Sequence, residues 1–272
     1  MILLVLSPSK GQDFSTDPSS ILCHATELPE NMTALTLPIV TQQKGFSKAV
    51  IKSQNKLSDA LADRAKKMWE TYGASGNISA PAIYGFAGMA YDKLDVQTLG
   101  RPAVEYLAEH LRIVDPLTGW TKASDSIEPY RLEMTNKLGD VKLQSYWKEA
   151  VSTAVITEFE EAGEKEKILI NVASDEYWGC IDIKRLNEAG IKAIKADFFQ
   201  DGRRAPGVNL KMARGLFVRW ASENNAKSEG ELKGFDADGY EFFELVEEGK
   251  CTVMRFGRDK PTAPPKKKKR TK

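Results

Sequence analysis

A short aliphatic run that ends in a polar loop is the feature that most constrains the fold of this chain. Ile2–Leu6 is a run of five aliphatic residues, and Ser7-Pro8-Ser9-Lys10 follows directly. The run is much shorter than the ~18 residues of a membrane span. It also lacks the charged leader of a secretion signal. We therefore expect a buried first strand that opens at its carboxyl end into a polar loop.

Hydrophobic periodicity predicts the other elements of the fold. Helices are predicted at about 46–72, 102–111, 143–159 and 210–220, and strands at 82–86, 167–172, 191–198, 241–246 and 252–256. Their order favours a mixed α/β (α+β) fold, with a mixed sheet covered by helices. No linker divides the chain. We therefore predict a single domain, 1–256, followed by a disordered basic tail, 257–272.

Charge is distributed unevenly along the chain. Residues 257–272 contain eight basic residues and one acidic residue, a net +7, so the rest of a chain with net charge +1 carries −6. Bulk charge therefore does not attract the body to nucleic acid, and a local basic face or the tail would be needed. The tail sequence PPKKKKRTK, 264–272, is typical of a nuclear import signal or a nucleic-acid-binding arm, with a solubilising tail as the alternative. An import receptor is accordingly a predicted partner, and nuclear localisation an alternative to the cytoplasm.

Common catalytic and metal-binding signatures are absent from the sequence. It has no GxGxxG after a strand, no phosphate loop, no HExxH and no GxSxG. The pair Cys23-His24 has no second ligand pair, and the other histidine, His110, lies in a predicted helix. Widely spaced cysteines favour a reducing compartment. We predict no metal, no cofactor and no membrane contact, and a cytoplasmic location.

Two of the four polar clusters in the sequence precede residue 135. The loop at 7–10 offers hydroxyls, backbone N–H groups and an ammonium, which suit a phosphate, although a plain turn is equally consistent. In PYRLEM, 129–134, alternation puts Tyr130 on one face and Arg131 with Glu133 on the other. That charged pair is either a surface ion pair worth ~0–1 kcal/mol or a buried one. In the buried case the Arg131 guanidinium can bind a phosphate or carboxylate through two parallel hydrogen bonds.

The other two clusters follow a predicted strand and open a predicted helix. Asn171, Ser174 and Glu176 could gather in a crevice outside the carboxyl end of a strand, where ligands often bind, or simply cap a short helix. Lys211 and Arg214 lie three residues apart, on one helix flank. A solvated basic flank is the ordinary outcome, and a phosphate clamp requires the clusters to converge.

With these four clusters in this order along its sequence, the chain resembles the YaaA-type peroxide stress resistance family. The matching stretches are LSPSK at 6–10, HLRI at 110–113, PYRLEM at 129–134, NVASDEYW at 171–178, KMARG at 211–215 and GFDADGYEF at 234–242. The resemblance implies a cytoplasmic protein that helps cells survive hydrogen peroxide by limiting unincorporated iron and its damage to DNA. It also implies a family-specific fold with a positively charged groove and a helix-hairpin-helix-like element associated with DNA binding. No reaction is firmly attached to the family.

One segment departs from the family pattern. Where the family has SGLYG and an Arg-Pro pair, this chain has Asp115-Pro116-Leu117-Thr118-Gly119 and then Lys122-Ala123. Asp115 adds negative charge, and Pro116 removes a backbone N–H. If the backbone amides of this segment bind phosphates in the family, we expect this chain to bind phosphates more weakly, or to bind them through its basic tail.

These observations favour a DNA-binding stress-response protein that limits peroxide- and iron-mediated damage, with double-stranded or junction DNA as the partner. The predicted phosphate contacts are Lys10, Arg112, Lys122, Arg131, Lys211 and Arg214. The predicted polar cleft comprises Ser7, Tyr130, Glu133, Asn171, Ser174, Glu176 and Tyr177.

An enzyme acting on a nucleotide or nucleic acid is the alternative. In it Ser7 or Tyr130 would be a polar catalyst, Glu133 or Glu176 a general base, and Lys10 with Arg131 an anion clamp. Direct iron sequestration is less favoured, because the ligands would have to be carboxylates and no ExxH pair of the ferritin-like kind occurs.

Overall fold

The computed structural model describes residues 1–17 and 20–259, which form an eight-stranded mixed sheet with helices around it. The strands are β1 (Ile2–Leu6), β2 (Gly11–Gln12), β3 (Ala80–Pro81), β4 (Phe86–Ala87), β5 (Leu111–Asp115), β6 (Gly119–Lys122), β7 (Ser126–Ile127), β8 (Lys137–Leu138), β9 (Val141–Lys142), β10 (Ile168–Asn171), β11 (Lys192–Gln200), β12 (Arg203–Arg204), β13 (Glu241–Glu248) and β14 (Cys251–Arg258). The helices are α1 (Glu30–Gly45), α2 (Lys48–Asn55), α3 (Asp59–Thr71), α4 (Ala82–Gly85), α5 (Met89–Leu94), α6 (Arg101–His110), α7 (Leu143–Glu161), α8 (Asp175–Trp178), α9 (Ile183–Glu188), α10 (Gly207–Glu223) and α11 (Glu229–Leu232).

The central sheet has the strand order β13-β14-β11-β10-β1-β5-β6, with β12 paired to β11. The five strands from β14 to β5 are parallel, and β13 and β6 run antiparallel at the two ends. Every residue of β1 is buried, because the strand lies between two neighbours and is covered on both faces. The mixed α/β prediction is confirmed, whereas the helix-hairpin-helix-like element stays a prediction.

The connections of this sheet diverge between β1 and β10. From β1 the chain proceeds to β5 on one side, and from β10 it proceeds to β11 on the other side. Connections that leave neighbouring parallel strands in opposite directions leave a crevice outside the carboxyl ends of those strands. The loops after β1 and β10 therefore border the place where a ligand is most easily accommodated.

The longest predicted helix is confirmed as α7. Its buried side chains recur every three to four residues and pack into the core: Leu143, Trp147, Val151, Val155 and Phe159. Gly163, with a φ of 64°, follows its end. All the buried apolar residues of the described chain except Ala193 and Val253 form one cluster that extends from Ile2 to Phe256.

The predicted helix at 46–72 is two helices, α2 and α3. Lys56 adopts a left-handed conformation with φ 50°, which ends α2. The side chains of Ser47 and Ser58 each accept a backbone N–H and cap the two helix starts. The capping serines are the signals that the continuous-helix interpretation overlooked.

The predicted strand at 82–86 is wrong, because α4 occupies most of this segment. Pro81 has no N–H to give to a ladder. The N–H groups of Ala82 and Ile83 donate instead to the carbonyls of Asp125 and Ala123, at 2.8 and 3.0 Å. The segment is buried as expected, but it pairs with a loop rather than with the central sheet.

The last strand extends past the predicted tail boundary. Gly257 and Arg258 pair with Phe199 and Gln200 in β11, and Arg258 forms an ion pair with Asp238. Residues 260–272, which include PPKKKKRTK, lie outside the described residues. Within 1–17 and 20–259, no helix is both long and apolar enough to cross a bilayer.

Candidate functional site

A cavity of about 460 Å³ opens at the carboxyl ends of β1 and β10, in the crevice that the topology creates. The loops after these strands form one wall, and the start of α5 with the first half of α10 forms another. Its lining residues are Leu6, Ser7, Pro8, Ser9, Lys10, Gly11, Ala87, Gly88, Met89, Ala90, Tyr91, Ser174, Glu176, Tyr177, Lys211 and Arg214. Three of the four polar clusters therefore contribute directly to one cavity.

Ser7 joins the two strand ends beneath this cavity. Its Oγ accepts the backbone N–H of Ser174 at 2.9 Å and lies 3.5 Å from Ser174 Oγ. Its carbonyl accepts the hydroxyl of Tyr91 at 3.0 Å. Because these bonds hold Ser7 from both sides, the loop at 7–10 has a fixed position relative to the loop after β10.

Helix α10 supplies the two unpaired cations of the cavity. Among the described residues, neither Lys211 nor Arg214 makes a salt bridge or a side-chain hydrogen bond, and Arg214 Nε is buried without a partner. Burial, and then the nearby Arg204, lower the pKa of Arg214 from its ordinary value of 12.5. A guanidinium that retains its hydrogen-bonding capacity in a cavity can bind an anion.

A close contact between α10 and α5 fixes the position of Lys211 and Arg214 in the cavity wall. A Cβ at Gly215 would lie 1.9 Å from the carbonyl oxygen of Ala90, so only glycine permits the observed approach. Gly215 directly follows Arg214 in KMARG. The glycine of that motif therefore lets α10 pack directly against α5, and the two helices together form one wall of the cavity.

Glu176 supplies the unpaired carboxylate of the cavity. It lies in the first turn of α8, and its backbone carbonyl accepts Nε2 of Gln144 at 2.7 Å. Among residues 1–17 and 20–259, its buried side-chain Oε1 has no hydrogen-bond partner, and no salt bridge joins Glu176 to Arg214. Unmatched buried polar atoms cost free energy, so a carboxylate and a guanidinium left apart in one cavity indicate a ligand site.

The PYRLEM cluster lies beside the cavity and is joined to it through Lys10. Lys10 Nζ and Arg131 Nη2 lie 2.7 and 3.3 Å from the same oxygen of Glu133, and Arg131 Nη1 donates to the carbonyl of Lys10. Lys10 and Arg131 also line a second cavity of about 160 Å³, together with Tyr130 and Arg64. One carboxylate thus balances two cations, which leaves a net positive charge next to the main cavity.

The Tyr130 hydroxyl points into the core instead of the main cavity. It donates to the buried carboxylate of Asp115. Burial is the main cause that raises the pKa values of both Asp115 and Tyr130. This placement leaves Tyr130 unable to present its hydroxyl to a ligand in the cavity while the bond to Asp115 persists.

The segment that departs from the family pattern is a buried turn. Asp115 Oδ1 accepts the backbone N–H groups of Leu117 and Thr118, at 2.8 and 3.0 Å. The carbonyls of Pro116 and Leu117 accept Trp147 Nε1 and Thr36 Oγ1, both at 2.9 Å. These turn amides and carbonyls are therefore satisfied inside the protein and are not presented to phosphates.

Arg112 and Lys122 do not reach the main cavity. Arg112 is buried, its guanidinium bonds both oxygens of Glu158, and its Nη1 donates to the carbonyl of Leu111 at 2.8 Å. The exposed Lys122 lines a separate cavity of about 350 Å³ that includes Glu158. These two members of the predicted phosphate-binding set are therefore separated from the others.

Asn171 fixes the turn after β10, and Tyr177 lines the cavity. Asn171 is fully buried, and its Oδ1 accepts the backbone N–H of Ala173 at 2.7 Å, which turns the chain after β10. Tyr177 lines the cavity, and burial followed by the charge of Glu176 raises the pKa of Tyr177.

Two parts of the site were not predicted from the sequence: the wall formed by Gly88–Tyr91, and Arg64. Gly88 has a φ of 128°, and a Cβ there would lie 2.8 Å from Ser9 Oγ. Glycines at 85 and 88 were a usable signal of close approach. No signal distinguishes Arg64 from the other charged residues of α3.

Comparison with known proteins adds independent information. The family model described as "Peroxide stress protein YaaA" matches residues 2–245. A UPF0246 protein of Chromobacterium violaceum is 33% identical over 263 residues, which cover 95% of this chain and 100% of that protein. UPF0246 proteins of Caulobacter vibrioides and Phenylobacterium zucineum are 33% and 31% identical, over 89% and 97% of this chain and 93% and 97% of their own lengths.

Proposed function

This chain belongs to the YaaA peroxide stress protein family, and from that premise we propose that it binds DNA through phosphate contacts at the mouth of the cavity. In peroxide stress such binding would limit the damage that peroxide and unincorporated iron cause to DNA. Lys10, Arg131, Lys211 and Arg214 are the contacts we assign, with double-stranded or junction DNA as the partner.

One observation carries this proposal. Lys211 and Arg214 are free of salt bridges within the described chain, whereas Arg112, Lys195 and Arg204 each pair with a carboxylate. A phosphate is the group that such cations bind best, because each N–H can donate to a charged oxygen. The Lys10 side chain is 52% exposed in its pair with Glu133, so exchanging that partner for a phosphate costs little.

Two predicted contacts are left out of the proposed DNA-binding surface. Separating Arg112 from Glu158 would leave a buried guanidinium without its carboxylate, which makes that arginine unsuitable for a reversible phosphate contact. Lys122 shares its cavity with Glu158 and Glu161, whose charges oppose an approaching phosphate. Lys122 therefore serves as a matched control, since it is exposed and basic but lies in a different cavity.

The test is the salt dependence of duplex DNA affinity for the full chain. The log of the affinity should fall linearly with the log of the salt concentration. The double variant Lys211→Ala with Arg214→Ala should reduce the slope by ~2, because two phosphate contacts are lost, and Lys122→Ala should not change it. Equal slopes in all three proteins would refute the assignment of the cavity cations.

A second candidate function is an enzyme acting on a nucleotide or nucleic acid. The observation that favours it is the unpartnered carboxylate of Glu176 in the cavity that also exposes Ser7. A carboxylate in this position could accept a proton from a substrate. Mass spectrometry of DNA and nucleotides incubated with the protein would detect turnover, and Glu176→Gln should abolish it. Unaltered substrates after prolonged incubation would count against this candidate.

A further inference from the structure

We propose that the main cavity receives one nucleotide turned out of the base stack of DNA. The phosphate would lie at Lys211 and Arg214, and the base would point toward Glu176. This inference rests on the proposed DNA binding and deepens it, because it names what enters the cavity rather than what lies across its mouth.

The size of the cavity carries the first step. Its volume of about 460 Å³ falls in the range of ~300–1,000 Å³ typical of sites that enclose one small molecule. A duplex is a continuous stack of base pairs and cannot enter such a space. A single nucleotide rotated out of the stack can, and its backbone phosphate then remains near the mouth.

The second step is the charge pattern inside the cavity. Within the part of the chain that the structure describes, the buried Nε of Arg214 lacks an acceptor, and the buried Oε1 of Glu176 lacks a donor. A ligand that satisfies both must carry an anionic group at one end and an N–H group at the other. A nucleotide has this combination, since its phosphate accepts hydrogen bonds and the Watson–Crick edge of its base donates them.

The same charges set the orientation of the nucleotide. Glu176 repels a phosphate and can only accept hydrogen bonds, whereas Lys211 and Arg214 can only donate them. The reverse orientation would bring phosphate against carboxylate and leave both cations unmatched. Phosphate at α10 and base at α8 is therefore the favoured arrangement.

The third step is the apolar part of the wall. Tyr91 and Tyr177 are largely buried, and Met89, which is 43% exposed, lies at the edge of the cavity. Aromatic and thioether surface next to a few polar groups suits an unstacked base, which exchanges its stacking partners for side chains. Ser7 and Ser174 add hydroxyls within the same space.

This arrangement predicts a preference among DNA structures. Rotating a base out of a paired stack costs free energy, and the cost is smallest where the base is already unpaired or mismatched. The protein should therefore bind a duplex with one unpaired base more tightly than the fully paired duplex of the same length, by at least ~5-fold at equal salt.

The experiment places 2-aminopurine at the unpaired position and measures its fluorescence as the full chain is added. We expect the fluorescence to change on binding, because the base exchanges its neighbours in the stack for the side chains of the cavity. Two variants that fill the cavity, Ala87→Leu and Met89→Trp, should lose both this change and the preference for the unpaired duplex while retaining the salt slope. Lys122→Ala should behave like the unmodified protein. Two different substitutions are used so that misfolding of one does not decide the result.

The outcomes separate the two proposals. A salt-dependent affinity with unchanged fluorescence, or with a preference that survives both filling substitutions, overturns the inference about the cavity and leaves DNA binding at its mouth intact. Salt slopes that do not respond to Lys211→Ala with Arg214→Ala overturn the proposed function itself. Glu176→Gln adds a readout of orientation, since it should change the affinity ranking of the four bases without changing the salt slope.

Discussion

Arg112, which is buried on β5, and Arg214, which is partly buried on α10, lie in two regions around one sheet, and their surroundings are opposite. Near the β5–β6 edge, the guanidinium of Arg112 is held by Glu158 and by the carbonyls of Ala108 and Leu111. At the switch between β1 and β10, Arg214 has no such partner among the described residues. The residue type is identical, and only the unused hydrogen-bonding capacity distinguishes a structural arginine from a candidate ligand-binding one.

The largest expected effect is a loss of stability when the buried Arg112 loses its carboxylate partner. Glu158→Ala would leave Arg112 buried without its carboxylate, and we expect the free energy of unfolding to fall by ~3–5 kcal/mol. Urea denaturation followed by circular dichroism measures this. Arg214→Ala, which breaks no pair, should change the same quantity by less than ~1 kcal/mol. Similar losses in the two variants would contradict the distinction between the regions.

The next largest expected effect is a loss of DNA affinity when the charge of the unpaired Arg214 is reversed. Arg214→Glu replaces an unpaired cation by an anion beside Glu176, so we expect DNA affinity to fall ~10–100-fold at low salt. Fluorescence anisotropy with a labelled duplex measures the affinity, and thermal unfolding reports whether the fold is intact. An intact Arg214→Glu protein with unaltered affinity would remove Arg214 from the DNA contacts.

A smaller effect concerns the buried Asp115 beneath the cavity. Because burial raises its pKa above 3.8 in the folded protein, the folded state binds the proton more tightly than the unfolded state. Its contribution to stability is therefore present below pH 3.8 and is lost as pH rises through the folded pKa. In Asp115→Asn, the plot of unfolding free energy against pH should lose this decline. An unaltered pH dependence in the variant would show that Asp115 does not titrate in this way.

The smallest expected effect is on the pH dependence of stability, and it concerns His110 at the end of the sheet opposite the cavity. His110 Nδ1 is 2.8 Å from the carbonyl of Ile2, and burial is the main cause that lowers the His110 pKa from 6.5. The unfolded state then binds the proton more tightly, so stability should fall as pH drops below about 6.5 toward the folded pKa. His110→Gln should reduce this slope. The proposed DNA binding, whose assigned contacts are lysines and arginines, should not follow the same pH curve, and a shared curve would argue against separate roles for the two ends.

Sequence reasoning succeeded where a local pattern determines the structure. Five aliphatic residues in β1, followed by Ser7-Pro8, indicated a buried strand with a polar loop, and the structure has both. Ser174, Glu176, Lys211 and Arg214 were expected to approach that loop, and they line one cavity with it. The roles assigned to them stay predictions.

Sequence reasoning failed where the decisive partner is distant in the chain. Glu158 lies 46 residues after Arg112, and no local pattern identifies it as the acceptor that occupies this guanidinium. The same limit applies to Tyr130, since alternation gives its face but not the carboxylate of Asp115 behind it. Alternation and periodicity report which residues are buried, and they do not report which polar groups are satisfied.

The central position of β1 also affects how a ribosome must produce this protein. Ser7 and Ser174, which join the two strand ends, are 167 residues apart. At ~5–20 residues per second, the segment that completes this contact is synthesised roughly 8–30 s after Ser7. For that time the nascent aliphatic strand lacks one of its permanent neighbours and is exposed to association with other chains. Shielding by a chaperone should therefore matter most in this interval, before the two halves of the cavity meet.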